Sequence, residues 1–188
     1  MSHGARTDLG LLALRLGTGG VLMAHGAQKL FGWFGGHGLK ATAGAMDAMG
    51  FRPGMPNAVM AGLGEAGGGL LLALGAATPA GGAAAVGAMS AAVEVHRPSG
   101  FFNHSGGYEY PAFLGLAATG LALAGPGRIS VDHATGNRLN TAGVLLSAFT
   151  AGTAAAMVVL RRRASALAAQ TESKEDKERV EEAEKELP

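Results

Sequence analysis

Five apolar stretches run through the chain, at about 9–31, 57–77, 80–96, 108–124 and 141–160, and several carry a single ionisable residue where lipid would penalise a charge. Arg15 sits inside the first, Glu65 inside the second and Glu94 near the end of the third. An ionisable group at membrane depth is costly, so it turns towards the interior of a bundle and meets a partner there. The pattern predicts an all-α, polytopic transmembrane helix bundle, in contact with the lipid bilayer and built around a polar interior.

Composition supports this class. Of the 188 residues, 48% are hydrophobic and 32 are glycine, and most of the glycines fall inside or beside the apolar runs. Small residues there let membrane helices approach closely. The absence of cysteine excludes disulfides, thiolate nucleophiles, Cys-zinc sites and Cys-ligated iron–sulfur clusters. Residues 1–163 hold eleven Lys and Arg against six Asp and Glu, whereas residues 164–188 hold four against eight. No basic run is interleaved with aromatic residues, so no nucleic-acid partner is expected. The first apolar run has the look of a signal-peptide core. Arg15 interrupts it and a second amphipathic stretch follows Lys29, so it reads as a retained helix.

Turn signals divide the chain. A glycine-rich segment at 32–56 holds a short interfacial helix around 42–49, and Asn57 is placed to cap the second span. Thr78-Pro79-Ala80-Gly81-Gly82 reads as a tight turn, and Gly125-Pro126-Gly127 stops the fourth span. A polar hairpin or loop follows to Asn140. The fifth span, twenty residues without a charge, ends at Arg161-Arg162-Arg163. The positive-inside rule puts that triplet in the cytoplasm, and five spans then put the N-terminus outside. Lys29, Lys40, Arg52 and Arg97 fall on the same side as the triplet, against Arg6, Arg128 and Arg138 on the other. Were the third and fourth stretches not both to span, the N-terminal side would reverse. The tail at 164–188 pairs Glu175 with Arg179 and Glu181 with Lys185 at helical spacing. It reads as a solvated or partly disordered helix, with a docking tail as the alternative.

Two polar groupings stand out. Arg15, Leu22, Gly26 and Lys29 fall on or near one face of the first helix, with His25 and Gln28 beside it. Glu65 lies among glycines, and Gly64 with Gly68 forms a small-xxx-small pair. An ion pair between Arg15 and Glu65 is expected, either as a staple of the bundle or as part of a site. The second grouping holds Glu94, His96, His104, Tyr108, Glu109 and Tyr110, near one membrane interface. Its carboxylates, imidazoles and phenols suit proton transfer and quinol hydrogen bonding, or else interfacial anchoring. His25 and His96 match no haem-binding pattern, the His96–His104 region matches no metal-ligand spacing, and no metal is expected. No glycine-rich stretch follows a strand, so a nucleotide-binding fingerprint is absent.

In order and spacing, these residues resemble the DoxX family of small bacterial membrane proteins. The resembling stretches are Arg15-Leu16-Gly17 leading to Ala24-His25-Gly26-Ala27-Gln28-Lys29-Leu30-Phe31-Gly32; Gly64-Glu65-Ala66-Gly67-Gly68; Glu94-Val95-His96; Gly106-Gly107-Tyr108-Glu109-Tyr110-Pro111; and Gly125-Pro126-Gly127-Arg128-Ile129-Ser130-Val131-Asp132. Arg15, His25, Lys29, Glu65, Glu94, Glu109 and Asp132 match the family pattern. The resemblance implies a four-helix membrane bundle related to the DoxD subunits of thiosulfate:quinone oxidoreductase and to proteins described with archaeal quinol oxidases. The chain departs from that pattern in a fifth span and an acidic tail. The expected organisation is a four-helix domain at 1–132, a loop and additional span at 133–163, and a charged cytoplasmic tail at 164–188. The resemblance further implies a multi-pass protein of the bacterial plasma membrane. Its role would be a subunit or anchor of an oxidoreductase system, with soluble or membrane redox enzymes as partners. No cofactor is held covalently; quinone is the candidate ligand. Arg15, His25, Lys29, Glu65, Glu94, His96, Glu109 and Tyr110 are the candidates for lining a polar cavity. A transporter or binder of a small amphipathic molecule remains the alternative, and homo-oligomerisation stays open.

Overall fold

The computed structural model describes residues 3–185. Met1, Ser2 and residues 186–188, the outer ends of the expected first domain and tail, lie outside the described residues. Those described form an all-α bundle without strands: α1 His3–Phe31, α2 Gly38–Ala48, α3 Gly54–Leu74, α4 Thr78–His96, α5 Glu109–Ala124, α6 Val131–Ala134 and α7 Ala142–Lys185. Helices α1, α3, α4 and α5 surround an apolar core that includes Leu22, Leu72, Met89, Leu114 and Leu121. The short α2, expected as an interfacial helix, lies across the ends of α1 and α3, and α7 packs on α4. Among the described residues, three helices, α1, α3 and α7, are long and apolar enough to cross a membrane. Large side chains such as Leu14, Leu63, Leu116 and Leu146 point outwards, as they do in a protein whose solvent is lipid.

Glycine sets the spacing of the helices. A Cβ on Gly19 would lie 2.5 Å from the Gly69 carbonyl oxygen, and one on Gly69 would lie 2.6 Å from that of Gly19. Gly26 makes the same kind of approach to Ala66 and Gly62. The adjoining face of α3 serves α4: a Cβ on Gly68 would be 2.9 Å from the Gly81 carbonyl oxygen, and one on Gly64 3.3 Å from Ala88 Cβ. Gly82 gives α5 the same access through Ala122, at 2.7 Å. Lipid supplies no hydrophobic drive between helices, so this backbone proximity, with the dispersion contacts it allows, holds the bundle together.

Local signals decide the ends, and they differ from expectation at three places. Helix α3 begins at Gly54 with Pro53 as its N-cap (φ −70°, ψ 145°). Asn57 lies inside the first turn, where its side-chain amide donates to the Pro53 carbonyl at 2.8 Å and caps nothing. Pro56 is harmless there because the first amides of a helix have no intrahelical acceptor. The turn between α3 and α4 is Gly75 to Ala77, with Gly75 left-handed at φ 62°. Thr78 already opens α4, Pro79 sits in its first turn, and Gly81 and Gly82 are helical contact residues. Finally, α7 continues unbroken for 44 residues through the arginine triplet and along the tail. Residues 164–185 contain neither glycine nor proline and are dominated by Ala, Glu, Lys and Arg, the strong helix formers. Arg179 pairs with Asp176 at 3.9 Å on this extension.

Gly69→Leu is expected to destabilise the bundle by about 3 kcal/mol or more, since its side chain would enter the backbone of α1. Gly67→Leu, at a position where a Cβ meets nothing within 4 Å, should be tolerated. Thermal unfolding in mild detergent checks the pair; equal melting temperatures would contradict the glycine account.

Candidate functional site

One turn of α1 carries the polar grouping. His25 and Lys29 are four residues apart and share a helix face. His25 Nε2 lies 3.2 Å from the Tyr110 hydroxyl at the start of α5, and the two rings meet edge to face with centroids 5.6 Å apart. Lys29 Nζ donates to Glu65 Oε2 at 2.5 Å, from α1 to the middle of α3. The Glu65 side chain is only 4% exposed, whereas Lys29 is 27% exposed and Tyr110 39%. The buried carboxylate is therefore neutralised by a partly accessible cation, and the phenol stands at the open edge. Tyr110 also lies within electrostatic reach of Glu65. Three helices thus bring four titratable side chains together near one end of the bundle.

The expected ion pair between Arg15 and Glu65 does not form. Antiparallel register explains the exchange. Gly26 faces Gly62 and Ala66, and Gly19 faces Gly69 and Ala73, so Arg15 falls level with Gly75. That is about 15 Å along α3 from Glu65. Lys29 is the cation that the register delivers.

Arg15 belongs to a separate network at the opposite end. It is 1% exposed, and its guanidinium donates through Nη1 to the Pro126 carbonyl and through Nη2 to the Ile129 carbonyl at 2.7 Å. A side chain on Gly75 would collide with that guanidinium, a second reason for glycine there. Beside it, the buried Asp132 accepts hydrogen bonds from Ala77 N at 2.8 Å, Thr78 N at 2.9 Å and Thr78 Oγ1 at 2.8 Å. Asp132 N in turn donates to the Gly75 carbonyl at 2.8 Å. Asp132 is thus the N-terminal cap of α4, supplied from 54 residues away, where the helix dipole favours an anion. It was not among the expected site residues. The clue in the sequence was an α4 N-terminus with no acidic residue of its own in the first turn.

The remaining candidates make other contacts. Glu94 pairs with Arg163 of α7 at 3.5 Å and with Arg97 at 3.6 Å, tying α7 to α4. His96 Nδ1 lies 2.8 Å from the Gly106 carbonyl, and Glu109 Oε2 accepts from Asn103 N at 3.0 Å. Those two brace the loop between α4 and α5. Among the described residues, no three His, Asp or Glu side chains converge as metal ligands.

Arg15→Met should cost about 3 kcal/mol, because two buried carbonyls lose a charged donor. Glu65→Gln, which keeps an acceptor for Lys29, should cost about 1 kcal/mol or less. Chemical denaturation in detergent checks the order; a larger loss for Glu65→Gln would place the structural role at the wrong end.

The DoxX family model matches residues 10–104, which run from α1 through α4 and include Arg15, His25, Lys29, Glu65 and Glu94. Searches of the curated proteins and of the solved structures found no match. The match covers half of the chain, and with the apolar helices it makes this a multi-pass membrane protein: the chain belongs to the DoxX family.

Proposed function

We propose that this protein is the membrane subunit of an oxidoreductase system and that the cluster of His25, Lys29, Glu65 and Tyr110 receives a quinone headgroup. The observation that carries this reading is the pairing of His25 with Tyr110 and of Lys29 with Glu65 on a single turn of α1. A quinone presents carbonyl oxygens, which only accept hydrogen bonds. The cluster offers an ammonium and a phenol on its accessible side, so the donor set fits. Quinone supplies two-electron, two-proton chemistry when bound. Lys29 and Tyr110 would orient the carbonyls, while His25 and Glu65, each bonded to one of those donors, would relay protons to them. The electrons would come from a partner enzyme, since the chain carries no cysteine ligands for a redox centre.

The same reading gives α7 an anchoring role. At 44 residues it is about 66 Å long, roughly twice the hydrocarbon thickness. Its charged half at 164–185 extends beyond the arginine triplet and offers a helix to soluble redox enzymes. In the plasma membrane the triplet would lie on the cytoplasmic side. Arg163 reaches the Met49 carbonyl and Glu94, so the triplet shares its end of the bundle with the segments bearing Lys40, Arg52 and Arg97. The positive charge is concentrated on one side.

Affinity purification from native membranes in mild detergent, with mass spectrometry of the proteins and lipids recovered, tests the assignment. A redox enzyme in stoichiometric amount is expected, and removal of residues 164–188 should release it. Within that assembly, Tyr110→Phe and Lys29→Met should each lower turnover with a short-chain benzoquinone about tenfold, the loss of one hydrogen bond. Unchanged turnover in both variants, or a partner-free protein carrying a different small molecule, would refute the reading. Orientation is checked separately with single cysteines in this cysteine-free chain. Ala134→Cys should react with an impermeant maleimide in intact cells, and Ser173→Cys only after permeabilisation; the reverse pattern would invert the topology.

A further inference from the structure

A second site lies on the other side of the bundle. Helix α7 touches the rest of the molecule at two levels. Near mid-span, Gly152 approaches Ala83, with a Cβ there 3.4 Å from the Ala83 carbonyl oxygen. At the end of the span, Arg163 donates from Nε to the Met49 carbonyl at 3.0 Å and stacks over the Phe51 ring at 5.2 Å. Alongside these contacts the facing side chains are small: Gly64 of α3, Ala84 and Gly87 of α4, and Ala155 and Ala156 of α7. They leave a groove of about 440 Å³ with an almost wholly apolar wall. At one end, bounded by the shared residues Phe51, Asn57, Met60, Ala155 and Val159, it continues into a second hollow of about 420 Å³. Arg52, Arg162 and Arg163 line that hollow, and no Asp or Glu lines either part.

We infer that this groove is a binding site for one anionic phospholipid, with an acyl chain lying between α3, α4 and α7 and the phosphate held by Arg52 and Arg162. Charge and depth both argue for that occupant. Arg162 follows directly on the charge-free stretch of α7, and Arg52, in the segment between α2 and α3, lines the same hollow, while the groove runs back along the apolar span. Their donors are available: among the described residues the Arg162 side chain has no partner, and Arg52 makes a single 3.5 Å bond to the Asp47 carbonyl. Arg163 is already committed to Glu94 and Met49, and it fixes the wall rather than the ligand. Both phosphatidylglycerol and phosphatidylcholine offer a phosphodiester to the two guanidinium groups, but the choline cation of the latter would be repelled by them, whereas an anionic headgroup brings no competing cation. This site is distinct from the His25 cluster and does not depend on its role.

The test is native mass spectrometry of the full-length protein equilibrated with equal amounts of phosphatidylglycerol and phosphatidylcholine. One tightly retained lipid is expected, with phosphatidylglycerol preferred about tenfold, the penalty for holding a choline cation beside two guanidinium groups. The double variant Arg52→Gln, Arg162→Gln should abolish the preference. Gly87→Leu should reduce retention of both lipids, because a Cβ at Gly87 meets nothing within 4 Å and the side chain fills the groove without straining α4. Equal retention of the two lipids by the unaltered protein would overturn the inference. So would a preference that survives the double arginine variant, retention unchanged by Gly87→Leu, or a quinone recovered from the groove in place of the phospholipid.

Discussion

The close approach of α1 and α3 is the constraint from which the rest follows. Gly19 and Gly69 present backbone to backbone, and Gly26 repeats the contact one heptad later. A side chain at any of these positions would push the helices apart or slide them past one another. Because the contact is between backbones, it fixes axial register as well as distance. Register then selects which charges meet: Lys29 reaches Glu65, and Arg15 is delivered to the α3–α4 turn. In lipid there is no water to forgive a mismatch, so a shift of one turn would leave a buried carboxylate and a buried guanidinium each without its partner.

The two ends of the bundle carry different chemistry. At one end, Arg15 bonds the Pro126 and Ile129 carbonyls, and Asp132 accepts from the Ala77 and Thr78 amides at the α4 N-terminus. Both are almost fully buried, and their partners are groups that a helix end or a loop must satisfy in any case. Such an arrangement holds a fold closed. At the other end, His25, Lys29, Glu65 and Tyr110 bond only to one another, and two of them reach the surface. Side chains paired among themselves at an accessible edge can exchange partners with a ligand without unravelling a helix. That contrast, rather than residue type, separates the candidate site from the structural network.

Helix α7 adds a third wall to this frame. It rests on α4 through small residues and is pinned near its middle by Arg163, where Glu94, Met49 and Phe51 converge. Glu94 therefore works as an inter-helix tie. The groove beneath α7 exists because alanine and glycine line all three helices that face it. The same residues that permit close packing at the α1–α3 contact leave space where the helices diverge.

Much was legible in the chain itself. Apolar stretches long enough to span, single charges within them and the arginine triplet determined an all-α membrane bundle, because the cost of exposing backbone or charge to lipid leaves few alternatives. The family likeness was readable from short motifs in order, and His25, Lys29, Glu65 and Tyr110 were all marked as candidates. Tertiary structure decided what spacing along one helix cannot: which cation meets Glu65, and that the cap of α4 comes from Asp132 across 54 residues. It also decided where α3 begins: Asn57 was the expected cap, and the helix starts at Gly54 with Pro53 before it. Sequence determines the cost of burying each group; the register of packed helices determines which partner meets it.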